Sequence, residues 1–270
     1  MPYDGKGSCE MERGESATMV MDERRERIVS FINEEGSVTF SQLKQEFSDV
    51  SEMTLRTDLK ALDEQHLIIR VHGGAKSVGF AVGTDDLLAR RASRHSQEKV
   101  TIAQKAAKLV HAGRTIFIDS GSTTTALAAA IPDVELMVFT NSLSVAGELA
   151  GKERIITFVV GGRLNRFSMS TAGAQAIESV RTMTFDQVFL GVTGYVRHEG
   201  FSCGADDEAI FKKVLTQRSN EAIALMDSSK EGRHATFRFC DLKNVDIVVS
   251  DGNLSSDFAA ACKNAETKLL

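Results

Sequence analysis

The chain has 270 residues and a formal net charge of −5, with 42% hydrophobic and 26% charged residues. These proportions exclude a wholly disordered, collagen-like or mucin-like chain, and the length implies one large or two smaller domains. No stretch approaches the roughly 18 uncharged apolar residues of a membrane span.

Residues 1–21 are polar and lack an apolar signal core, so they read as a disordered leader and a cytoplasmic location is expected. A helix pattern begins at Asp22, with Ile28, Phe31 and Ile32 at three- and four-residue spacing. Thr39 followed by Gln42 has the form of a capping box, which predicts a short helix to Phe47. Ser51 caps a third helix ending near Glu64. On that helix Leu55, Leu59 and Leu62 form one stripe, while Met53, Arg56, Thr57 and Lys60 lie on the opposite side. Leu67 to Val71 is β-prone, Gly73-Gly74 signals a two-residue turn, and Ala75 to Val78 can return. Residues 22–78 thus read as a winged helix–turn–helix, a DNA-binding module. Ser51 and Thr54 are assigned to phosphates, and Arg56 and Lys60 to base edges or phosphates, beside Met53 and Thr57. Lys44 is an added backbone contact, and Arg70, His72 and Lys76 of the wing can touch the backbone or minor groove. The module holds 8 Lys+Arg against 11 Asp+Glu, so contact must come from charges on one face. A single such module has little electrostatic pull, which favours a homodimer or homotetramer on repeated half-sites.

Residues 79–97 lack a sustained apolar period and read as a linker, with a short helix around Leu87-Leu88 and the basic run Arg90 to His95. From Glu98 to residue 270, apolar strands alternate with helices. That alternation predicts an α/β domain with an open, mostly parallel sheet covered on both faces.

In such sheets ligands bind at the carboxyl ends of the strands. Those ends are small, hydroxylic or glycine-rich here. Asp119-Ser120-Gly121-Ser122-Thr123-Thr124 presents hydroxyls and backbone N–H groups at a helix N-terminus, which suits an anion. Thr140-Asn141-Ser142, Gly161-Gly162, Gly191 and Lys230 complete the expected crevice. Asp119 is assigned to ligand hydroxyls, which a carboxylate accepts readily. The four cysteines are scattered and the six histidines show no zinc-type spacing, so neither metal nor cofactor is expected. Motifs for dinucleotide binding, serine hydrolysis and zinc proteolysis are absent.

Val50-Ser51-Glu52-Met53-Thr54-Leu55-Arg56-Thr57-Asp58-Leu59 resembles the recognition helix of DeoR-family bacterial transcriptional regulators, with Thr57 where the family usually has a second Arg. Arg70 to Ala75 resembles that family's wing. The likeness continues through Glu98 to Ala103, Asp119 to Thr123, Thr140 to Ser142, Gly161-Gly162 and Asp227 to Lys230. It implies a repressor of a sugar-catabolic operon. It also implies a C-terminal domain similar to ribose-5-phosphate isomerase and glucosamine-6-phosphate deaminase folds, sensing a phosphorylated sugar; Gly191-Val192-Thr193-Gly194 lacks the carboxylates of the isomerases' acidic loop, which argues for binding without turnover. The alternative is a sugar-phosphate isomerase or deaminase fused to a DNA-binding domain, which needs a base such as Glu208 or Asp227.

Overall fold

The computed structural model describes residues 11–35, 37–65, 67–71, 73–77 and 88–270. It divides into two units, Met1–Gly83 and Thr84–Leu270.

The first unit contains α1 (Met11–Glu35), β1 (Ser37–Thr39), α2 (Phe40–Glu46), α3 (Glu52–Glu64), β2 (Ile68–Val71) and β3 (Gly74–Ser77). Helix α1 starts well before Asp22, so residues 11–21 are helical and not the disordered leader expected. No proline interrupts that stretch, and its Met, Glu, Arg and Ala residues favour helix. Residues 1–10 of the leader lie outside the described residues. Thr39 and Gln42 close the capping box of α2, and the Ser51 side chain accepts from Thr54 N–H to start α3. The apolar faces of the three helices meet in one core of Ile28, Ile32, Leu43, Phe47, Leu55, Leu59 and Leu62, joined by Val38, Ile68 and Ala75 from the strands.

Strand β1 was not expected. It pairs antiparallel with β3, giving a three-stranded sheet in the order β1-β3-β2. Gly74 permits this approach, because a Cβ there would lie 2.0 Å from the Val38 carbonyl oxygen. Helices α1 and α3 are further tied by a buried carboxylate. Asp58 accepts from Arg24 Nε at 2.7 Å and Arg25 Nε at 2.9 Å.

The second unit opens with α4 (Leu88–Ser93) and α5 (Ser96–Ala107). Residues 88–97, expected as linker, are therefore largely helical. Their start is held to this unit by Leu88 N–H, which donates to the Phe167 carbonyl at 2.8 Å. There follow β4 (Thr115–Ile118), α6 (Ser122–Ala130), β5 (Leu136–Thr140), α7 (Leu143–Leu149) and β6 (Ile155–Val159). A hairpin, β7 (Arg163–Asn165) and β8 (Ser170–Ala172), precedes α8 (Ala174–Arg181) and β9 (Phe185–Gly191). The chain continues through β10 (Gly194–Val196), β11 (Gly200–Cys203), α9 (Asp206–Gln217), β12 (Ser219–Leu225) and β13 (Phe237–Cys240). It ends with β14 (Ile247–Val249), α10 (Ser256–Asn264) and β15 (Lys268–Leu269).

Seven strands form one sheet in the order β15-β14-β12-β9-β4-β5-β6. Every pairing in it is parallel, as the apolar runs implied. One face packs against α5, α6 and α7 through Ile102, Ala106, Leu127, Val145 and Leu149. The other carries Phe117, Phe185, Val188 and Leu190 against Val180, Phe211 and Leu215. The hairpin β7-β8 and the small antiparallel sheet β10-β11-β13 were not anticipated. Strands β4, β5 and β6 progress one way while β9, β12, β14 and β15 progress the other, so the order reverses between β4 and β9. Open α/β sheets bind ligands at such a reversal, outside the carboxyl ends of the strands. No described helix is long and apolar enough to cross a membrane.

Candidate functional site

On the first unit, α3 presents its polar side to solvent. Met53 is 81% exposed. The Arg56 guanidinium lies over the Phe40 ring at 4.1 Å and is 3.9 Å from Glu52. That stacking orients an otherwise mobile side chain. Lys60, also exposed, is 3.8 Å from Glu64. Ser51 and Thr54 share a hydroxyl hydrogen bond of 2.8 Å at the start of the helix, and the Thr57 hydroxyl donates to the Met53 carbonyl. Lys44 is differently employed: its ammonium donates to the Ser48 and Val50 carbonyls at 2.9 and 2.7 Å. It fixes the turn that sets the angle between α2 and α3. Arg70 is exposed on β2, Lys76 is half-buried on β3, and His72 lies outside the described residues.

On the second unit, the loop after β4 delivers Asp119 to the strand-order reversal. Its backbone N–H donates to the Phe189 carbonyl, and its Oδ2 accepts from Gly191 N–H at 3.0 Å. The sequence reading missed what lies beside it. Lys212 of α9 is 1% exposed, and its ammonium is bonded to Asp119 Oδ2, to the Gly191 carbonyl at 2.8 Å and to Glu208 at 3.1 Å. Burial alone would push Lys212 down, but the Asp119 and Glu208 carboxylates outweigh it and hold its pKa well above the usual lysine value. Both carboxylates thus share one lysine, which offsets one of their two negative charges. Asp119 is therefore half-committed: Oδ2 is spent, while Oδ1 is buried without a hydrogen-bond partner.

Gly121, at φ 149°, turns the chain into α6 and leaves that helix without a side-chain cap. Ser122 and Thr123 are half-buried in its first turn. Thr124 is not available as expected. It is fully buried, and its hydroxyl donates to the Gly121 carbonyl at 2.9 Å. Thr140 and Ser142 are also structural. Thr140 Oγ1 accepts from Ser142 N–H, and Ser142 Oγ accepts from Val145 N–H to cap α7. Asn141 ties β5 to β8 by donating to the Thr171 carbonyl at 3.1 Å, which leaves Oδ1 buried and unpartnered. Gly162 has φ 154°, and a Cβ there would lie 2.8 Å from the Ala172 carbonyl oxygen, so it fixes the turn beside β8. Gly161 adjoins it at the end of β6.

The turn after β12 supplies the remaining groups. Asp227 accepts from Ser229, and Asp251 accepts from both the backbone and the hydroxyl of Ser228 at 2.9 Å. Lys230 is three-quarters buried, with its ammonium 3.8 Å from Asp227. Burial lowers its pKa, as do Arg233, Arg91 and Arg94, against the pull of Asp227. Lys99 on α5 is a second cation that sequence reading did not single out. It is 5% exposed, and burial together with Lys230, against the pull of Asp227, lowers its pKa to about 8. The signals for Lys99 and Lys212 were faint, since each sits on an apolar helix face where lysine is rare unless paired.

A helix–turn–helix whose third helix exposes Met53, Arg56 and Lys60, in one chain with an α/β unit built around a strand-order reversal, defines a DNA-binding regulator with a sensor domain. A model of the DeoR-like helix-turn-helix domain matches residues 24–79, and one of the DeoR C terminal sensor domain matches residues 94–252. The chain belongs to the DeoR family of transcriptional regulators. It is 34% identical to an uncharacterized HTH-type transcriptional regulator of Bacillus subtilis, over 93% of this chain and 96% of that one. It is 32% identical to the glycerol-3-phosphate regulon repressor of Escherichia coli, over 86% and 92%. It is 30% identical to the lactose phosphotransferase system repressor of Lactococcus lactis, over 86% and 91%. These relatives are named as regulators and repressors, not enzymes. Among solved structures, ribose 5-phosphate isomerase of Methanocaldococcus jannaschii is similar over 50% of this chain and 54% of that one, at 18% identity and a TM-score of 0.36.

Proposed function

We propose that this regulator represses a carbohydrate-related operon, and that a phosphorylated sugar or polyol in the second unit sets its affinity for operator DNA. The observation that carries the effector reading is a set of three buried acceptors at strand ends. Among the described residues, Asp119 Oδ1, Asn141 Oδ1 and Asp227 Oδ2, after β4, β5 and β12, have no hydrogen-bond partner, and Asp227 Oδ2 has only the Lys230 ammonium at 3.8 Å. A buried acceptor left unpaired costs about 1–3 kcal/mol, and a hydroxyl-rich ligand brings the donors they need. The same strand ends carry groups for an anion. They are the uncapped α6 N-terminus with Ser122 and Thr123, and Lys230, to which the buried Lys99 of α5 is electrostatically coupled. The names of two relatives, which refer to glycerol 3-phosphate and to a sugar phosphotransferase system, point the same way. The protein acts as a homodimer or homotetramer in this reading, because one module with more acidic than basic residues binds DNA weakly on its own.

Calorimetry with glycerol 3-phosphate, glucose 6-phosphate and their unphosphorylated parents tests the effector. At least one phosphorylated probe should bind, and its parent should bind at least ten-fold more weakly. Lys230→Ala should weaken the phosphorylated probe by about 10- to 100-fold, the worth of a hydrogen bond to a charged group. Equal binding of sugar and sugar phosphate, or wild-type affinity in Lys230→Ala and Thr123→Ala together, overturns the assigned phosphate site.

The same titration should depend on pH. A bound dianion favours protonated Lys99, which faces Lys230, Asp227, Arg91 and Arg94 and releases its proton near pH 8 in the ligand-free protein. Affinity should therefore be flat from about pH 7 to 8, above the second phosphate ionisation near 6. It should then fall by up to about ten-fold per unit above 8. Lys99→Arg, which stays charged, should remove that fall. A profile that declines equally in both proteins excludes Lys99 as its origin.

A further inference from the structure

Helix α4 is the first described element after the wing, so it ends the stretch of chain that leads out of the DNA-binding unit. Its beginning is fastened by Leu88 N–H to the Phe167 carbonyl. Its end is fastened by a side chain from the next helix. The buried Lys99 ammonium donates to the main-chain carbonyls of Arg91 and Arg94. The last carbonyls of a helix have no partner within it, and a cation there also complements the helix dipole. Lys99 is thus the C-terminal cap of α4. The turn between α4 and α5 is tight, with His95 in the left-handed region at φ 48°. A non-glycine residue holds that conformation only where its surroundings enforce it.

The same ammonium lies within electrostatic reach of Lys230 and Asp227, on the turn after β12. One buried cation thus caps the end of α4 and is electrostatically coupled to the Lys230–Asp227 turn after β12. A carbonyl offers a partial charge, whereas a phosphate offers a full one, and charge-assisted hydrogen bonds are roughly twice as strong.

We propose that Lys99 is a latch, in which an anion at the Lys99–Lys230 pole draws the ammonium from the Arg91 and Arg94 carbonyls and frees the end of α4. The trigger rests on the effector reading above, but the latch itself does not. Such a device gives the ligand different affinities for two states of the joint. Without that difference, binding could not change the affinity for DNA.

Hydrogen exchange on the full-length chain tests this in two arms. Without ligand, Lys99→Met should raise amide exchange over residues 88–95 at least ten-fold. Lys99→Arg, which can still donate to both carbonyls, should remain within about three-fold of wild type. Exchange in α10 and the melting of the second unit serve as the folding control. With saturating glucose 6-phosphate or glycerol 3-phosphate, whichever calorimetry shows to bind, wild-type exchange over 88–95 should rise in the same way. Wild-type protection of α4 in Lys99→Met, or a bound probe that leaves α4 exchange unchanged, overturns the latch. Failure of every phosphorylated probe to bind overturns the effector reading and with it the anion trigger, while the ligand-free comparison separately decides whether Lys99 holds the end of α4.

Discussion

Replacing Lys212 with Met should destabilise the second unit by about 3–5 kcal/mol, the cost of leaving a buried charge without its partner. Lys212 is 1% exposed and Asp119 is fully buried, so water cannot take over from the lost ammonium. Glu208 and the Gly191 carbonyl would lose the same donor. Met matches the volume of the lysine stem, so the loss reports charge and not a cavity. The double replacement Lys212→Met with Asp119→Leu should recover much of the stability, because the fully buried carboxylate is gone and the Glu208 carboxylate that remains is 19% exposed and reaches water. The chain has no tryptophan and two tyrosines, of which Tyr195 is buried in the second unit. Its fluorescence during urea unfolding can follow that unit. A loss below about 1 kcal/mol in the single variant would show that Asp119 does not depend on Lys212 as its partner.

That pair also shows where sequence ceased to be informative. Local signals were well resolved. The capping box at Thr39 and Gln42, the Ser51 cap, and the apolar runs of β4, β5 and β9 each act within a few residues. Their periodicity alone implied the helix–turn–helix and the parallel sheet. Lys212 and Asp119 are 93 positions apart, and no local pattern links them. Within α9, Lys212 reads as one more charged residue on an amphipathic helix. Strand β1 is three residues long and exists because β3 lies beside it in register, Ser37 opposite Lys76. The composition of the strand-end loops marks them as small and polar but does not reveal a division of labour among them. Thr124, Thr140 and Ser142 turned out to hold the loops together, while Asp119, Asn141 and Asp227 keep one acceptor each unmet. Hydroxyl side chains cap turns and bind ligands equally well, so composition does not separate the two uses.

The recognition face of α3 gives the other large expected effect. Arg56→Ala should weaken binding to a duplex selected by the wild-type protein from a randomised pool by about 1–3 kcal/mol, roughly 5- to 150-fold. The stacking of Arg56 on Phe40 at 4.1 Å argues for a set geometry, since a guanidinium held in one plane loses less freedom when it grips a base edge. Arg56→Lys should therefore recover only part of the loss, because an ammonium cannot reproduce a bidentate contact. Phe40→Leu should behave as a weaker version of Arg56→Ala, keeping the charge but not its orientation. Among the described residues Lys60 has no aromatic ring beneath it, and it lies 3.8 Å from Glu64, so Lys60→Ala should act differently. It should reduce affinity by a similar factor on all sequences and lower the salt dependence by about one phosphate contact. Unchanged affinity in Arg56→Ala combined with Lys60→Ala, with helix content intact by circular dichroism, would move the interface off this face of α3.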